Sequence, residues 1–180
     1  MGYLRKHGWP IGLALGVMVG LMIGGIWPNT PLHAVSTDRA ESHLMATGFV
    51  ADGIEAVYYL DFLTGSLKAA VLSNQNAGFQ AFYETNVHAD MATALASAGM
   101  QMPQKPSYMM VTGVTDIRRM GGQRTKPSSA ALYVAEANTG FVLAYILPWS
   151  SESHSSNQIF NGKLVVWAGG PFSSAAIRTQ

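Results

Sequence analysis

The chain contains no cysteine. That removes disulfides, thiolate metal sites and thiol nucleophiles together. It is also poor in charge, with Asp, Glu, Lys and Arg making up 12% of its 180 residues. With 48% hydrophobic residues, this composition excludes a disordered chain and requires a buried core. A net charge of +1 argues neither for nor against nucleic acid. Three catalytic signatures are missing: the hydrolase G-x-S-x-G, the phosphate-cradling GxxxxGK[ST] and HExxH. The five histidines are dispersed, so no metal-ligand spacing arises and no metal or cofactor is expected.

One stretch lacks charge altogether. Trp9 to Trp27 is an apolar run of 19 residues, which as a helix spans roughly 29 Å, about one bilayer core. Gly12, Gly16, Gly20 and Gly24 recur every fourth residue. That puts them on one face, the small-residue pattern of helix association in membranes. Arg5 and Lys6 precede the run, and no further Lys or Arg follows until Arg39. The positive-inside rule then expects residues 1–8 as a cytoplasmic tail and residues 9–27 as a transmembrane helix. The expected localisation is the inner membrane, single-pass, with the C-terminal part outside. A signal peptide cleaved after Ala34 is the alternative, disfavoured by the length of the run and by Leu32 near the cut. Nucleic acid is then not an expected partner.

Residues 28–44 read as a juxtamembrane linker, with a short helix over TDRAESHLMA suggested by its Ser, Thr and Asp caps. Residues 45–175 read as one β-rich domain. Ile54–Leu60, Leu67–Leu72, Gly78–Glu84, Tyr108–Ile117, Ala131–Glu136, Phe141–Leu147 and Leu164–Gly169 have strand composition. His88–Ala98 reads as a helix and Ser150–Gln158 as a polar loop. Aromatics at strand spacing (Tyr58, Tyr59, Phe82, Tyr83, Tyr133, Tyr145) are expected in the core.

The two hairpins match each other. AVYYLDFLTGSLKAAVL from Ala56 and ALYVAEANTGFVLAYIL from Ala131 align at an offset of 75. Asp61, Thr64 and Gly65 fall on Glu136, Thr139 and Gly140, so both turns are acidic-x-x-Thr-Gly. Their acids hydrogen-bond forward and their glycines supply positive φ. Met45–Gly48 matches Met110–Gly113 at an offset of 65, and the strand after Gly78 matches the one after Gly162 at 84. The expected fold is thus a transmembrane helix plus a mostly antiparallel α+β domain. That domain is read as two duplicated four-stranded meanders, residues 44–86 and 108–169, joined by one helix. The hairpins resemble those of quinoprotein-type β-propeller repeats, where Asp-x-x-Thr-Gly turns one strand into the next. Neither hairpin has the propellers' tryptophan, and no function or cofactor is carried over. The whole pattern also resembles single-pass bacterial envelope proteins, which implies a location and no activity.

The chemistry-bearing residues form no constellation. Asp61 and Glu136 read as turn acids, although paired carboxylates are what a glycosidase uses. His88 and Asp90 lie near a helix start, where an acid suits the dipole. Arg118, Arg119, Arg124 and Lys126 make a basic loop suited to an anionic ligand, an acidic envelope polymer or an acidic partner surface. The reading is a non-enzymatic, membrane-anchored envelope protein with a structural, assembly or scaffolding role. The lipid bilayer, an envelope protein and a homo-oligomer of the chain itself are its expected partners. The alternative is an extracytoplasmic ligand-binding module rimmed by loops 118–126 and 150–158.

Overall fold

A computed structural model describes residues 16–18, 20, 37–39, 41–117, 125–156 and 158–173. The chain divides into two compact units, Met1–Ala34 and Val35–Gln180. In the first, residues 16–18 and 20 are helical and exposed, and the space beside Gly16 and Gly20 is open. Among the described residues no helix is long and apolar enough to cross a membrane. This overturns the expected fold class, a transmembrane helix ahead of a β domain. It overturns the single-pass inner-membrane localisation with it. Apolar composition alone does not make a span, which needs about 20 consecutive helical residues. The rest of Trp9–Trp27, including Gly12 and Gly24, lies outside the described residues, as do residues 1–8.

The second unit is mostly β. Strands β1 (Thr37–Arg39), β2 (His43–Ala51), β3 (Ile54–Asp61), β4 (Ser66–Leu72) and β5 (Phe79–Asn86) precede helix α1 (Val87–Ser97). Strands β6 (Tyr108–Val114), β7 (Lys126–Glu136) and β8 (Phe141–Trp149) follow, then a one-turn helix α2 (Ser151–Ser155). Strands β9 (Phe160–Lys163) and β10 (Val165–Pro171) complete the order. Sheet I has six strands, β1-β2-β3-β4-β5-β9, and sheet II has four, β10-β8-β7-β6.

Period-two patterning explains why these segments are strands. In β3 the side chains of Ala56, Tyr58 and Leu60 are buried while Glu55 and Tyr59 are exposed. One face of each strand therefore meets the core. Sheet I contributes Leu44, Leu67 and Val71, sheet II contributes Leu132, Leu143 and Tyr145, and α1 contributes Val87, Met91 and Leu95. Asn86 caps α1, its Oδ1 accepting from the Ala89 N–H at 3.0 Å. The sheets approach closest where β2 lies against β6 and β7. A Cβ on Gly48 would stand 2.9 Å from Thr112 Cγ2, so glycine is what lets β2 come this near. The Thr112 hydroxyl donates to the Thr47 carbonyl across the same approach.

Two duplicated four-stranded meanders, residues 44–86 and 108–169, were expected, and sheet I departs from that. Residues 160–163, from the second half, add to sheet I by pairing in parallel with β5. The predicted helix over residues 37–46 is instead β1 and the start of β2, because Leu44, Ala46 and Val50 alternate into the core. The polar loop 150–158 contains α2, capped by the Ser150 hydroxyl accepting from the Ser153 N–H. The strand order β2-β3-β4-β5 is nonetheless the same as β6-β7-β8-β10. The registers correspond as well. Tyr58 pairs with Ala46 and Ala69, as Tyr133 pairs with Val111 and Ala144.

Candidate functional site

The turns are built as local chemistry dictates. Asp61 accepts from the Leu63 N–H at 2.8 Å and the Thr64 hydroxyl at 3.0 Å. These bonds, the Leu63 one first, hold its carboxyl below the usual carboxylate range. Glu136 makes the same turn from a fully buried position. One carboxylate oxygen accepts from the Ser107 N–H at 3.0 Å and Asn138 Nδ2 at 2.7 Å. The other takes the Thr139 N–H at 2.8 Å and its hydroxyl at 2.9 Å. Burial is the largest single influence and pushes Glu136 upward. The bonds from Ser107, Thr139 and Asn138 together outweigh it and leave the pKa lowered. Gly65 and Gly140 close the two turns at φ +69° and +67°, where a side chain is strained.

His88 and Asp90 serve different neighbours. The His88 ring stacks on Tyr108 at 5.6 Å. Asp90 accepts from the Thr85 hydroxyl at 2.8 Å and the Tyr145 hydroxyl at 3.2 Å, tying α1 to sheet II. Burial, with Asp90 beside it, pushes the Tyr145 phenol far up, so it stays a donor. Asn86, not Asp90, caps the helix. Among the described residues no three His, Asp or Glu side chains group to hold a metal. Of the basic loop, Lys126 begins β7 and is exposed. Arg118, Arg119 and Arg124 lie outside the described residues.

The prominent surfaces are the outer faces of the sheets, which the sequence reading missed. Residues adjacent in a strand point to opposite sides. Tyr58 and Tyr83 are buried, so Tyr59 and Phe82 face outward, 38% and 39% exposed. Tyr145 is buried in sheet II, while Tyr133 is 37% exposed. Three of the six aromatics expected in the core are thus on the surface.

On sheet I the outer face forms a shallow open dish of about 540 Å³, whose apolar floor includes Val57, Tyr59, Ala70 and Phe82. Phe79 meets Phe82 edge-on at 6.4 Å between ring centres. Lys68 and Glu84 make an exposed ion pair of 3.9 Å at the same face, and Asn161 of β9 adds an amide. On sheet II, two cross-strand rows hold no charge at all. They run Met109–Ala135–Val142–Gly170 and Val111–Tyr133–Ala144–Ala168. Met109 and Val111 are each 53% exposed. No family model, no curated protein and no solved structure matches the chain.

Proposed function

We propose that the β domain is a non-catalytic assembly module that binds protein through the outer faces of its sheets. The observation that carries this reading is the aromatic-floored dish on sheet I. A dish on a sheet face covers a ligand on one side only, whereas small-molecule sites enclose most of theirs. An apolar surface of another polypeptide matches it better. Four strands about 4.8 Å apart and six residues long make a flat patch of roughly 400 Å². That is the scale at which exposed apolar patches mark interaction sites. The Lys68–Glu84 pair and Asn161 occupy part of the patch, so covering its apolar share is worth less than about 10 kcal/mol gross at ~25 cal/mol per Å². Association itself costs ~4–15 kcal/mol, so one face supports a weak, reversible contact.

A photo-crosslinking amino acid in place of Phe82 tests this in the native cell, with Leu63, exposed on a turn, as the control position. Polypeptide adducts from position 82 and none from position 63 are the expected result. The reading fails if position 82 captures no polypeptide.

A further inference from the structure

The two sheets share strand order and register, yet they do not present the same face to the core. In sheet I the row Ala46–Tyr58–Ala69 points inward, each residue 2% exposed or less. The row holding the same place in sheet II is Val111–Tyr133–Ala144, and it points outward. The neighbouring rows are reversed in the same way. Thr47–Val57–Ala70 lies on the outer face of sheet I. Its counterpart, Thr112–Leu132–Tyr145, is buried beneath sheet II. The correspondence extends to the fourth strand, where Ala70 pairs with Phe82 as Tyr145 pairs with Val166.

Two like sheets related by a twofold axis would meet through the same face. Here the front of sheet I, the Tyr58 side, meets the back of sheet II. This stacking leaves one back open, on sheet I, and one front open, on sheet II. The open faces are therefore the same kind of pair that already meets once inside the molecule, directly where β2 lies against β6 and β7 and through α1 at β4 and β10. The open face of sheet II is apolar and offers Met109, Val111 and Tyr133 to the aromatic floor of the dish, beside which the Lys68–Glu84 pair lies.

We propose that copies of this chain stack front to back, the open face of sheet II in one copy seating on the dish of sheet I in the next. The proposal rests on the reading of these faces as protein-binding and names the partner as a second copy. Such a contact is heterologous: each copy uses two different surfaces, so growth continues until a ring closes or a filament forms.

The test is complementation between two full-length variants. Phe82→Glu blocks the dish, and Val111→Glu blocks the open face of sheet II. Neither side chain is in the core, and a melting temperature close to wild type confirms that each variant is folded. In sedimentation velocity the wild type grows past the dimer as concentration rises. Each variant alone loses self-association at least about tenfold. An equal mixture restores a dimer and nothing larger, because one intact interface remains between the two variants. The proposal is overturned if the mixture stays monomeric, if only one variant loses association, or if both assemble as the wild type does. A crosslink from position 82 to a different polypeptide, with both variants assembling as the wild type does, removes the stacking and leaves the binding module. Absence of any adduct from position 82 removes the binding reading itself.

Discussion

Gly53 and Gly65 both occupy the left-handed region, at φ +70° and +69°. A side chain in that conformation costs about 1–2 kcal/mol. Their surroundings differ. Beside Gly53 the space is open, whereas a Cβ on Gly65 would stand 2.5 Å from Cγ of the His88 ring. Gly53→Ala is therefore expected to cost about 1 kcal/mol in urea unfolding, and Gly65→Ala about 3 kcal/mol. Equal losses would show that the His88 contact is easily displaced. Glu136 gives a second residue-scale prediction. Its carboxylate is held below its ordinary value of 4.5, so the stability it contributes is present above that value. The contribution is lost as pH falls through the lowered folded pKa. Glu136→Gln should cost about 1.5–3 kcal/mol at neutral pH. The gap to wild type should close on acidification. A gap that persists in strong acid would mean that shape, not charge, is what Glu136 supplies.

At the scale of elements, the hairpins were the most legible part of the sequence, because acidic-x-x-Thr-Gly chemistry is complete within one turn. Strand β9 was the least legible. Phe-Asn-Gly-Lys has no periodicity of its own and becomes a strand only by pairing with β5. The short helix suggested over residues 37–46 rested on candidate N-caps alone, and packing of β2 against β6 and β7 overrode them. The candidate surface was hidden for a simpler reason. Composition identifies aromatics, while only register says which of two neighbours faces out, as Tyr58 and Tyr59 show. The inverted faces of the two sheets have no local signal at all. Helix α2 carries its own prediction. His154 is buried against Trp149, with ring centres 4.9 Å apart. The Gln80 amide holds the carbonyls of Ser153 and His154 beside it. Burial lowers the imidazole pKa below its ordinary 6.5, so the unfolded chain takes up the proton first. Stability is full above about pH 6.5 and falls as pH drops from there toward the folded value. His154→Phe should flatten that part of the profile in urea titrations at a series of pH values. An unchanged slope would place the sensitive group elsewhere.

At the scale of the whole β unit, the parallel strand joins what the chain order would separate. Sheet I takes its sixth strand, β9, from between β8 and β10 of sheet II in sequence, and α1 is packed against both β4 and β10. Neither sheet has a core of its own, since the buried side chains of both sheets and α1 form one cluster. The domain should therefore unfold in a single transition, with far-UV circular dichroism and tryptophan fluorescence coinciding. Asn161→Pro removes a backbone N–H from β9 and should lower that one midpoint without splitting it. Two separated transitions would show that sheet I stands without its sixth strand.

The same parallel strand sets a timetable during synthesis. Strands β2 to β5 leave the ribosome early and are able to pair at once, since each follows its neighbour. The outer edge of β5 then waits for Phe160–Lys163, which arrive only after α1 and the β6, β7 and β8 strands have been made. At about 5–20 residues per second that interval lasts several seconds. Throughout it, the nascent chain displays an unpaired strand edge next to Phe79 and Phe82, a combination that recruits other unfinished chains.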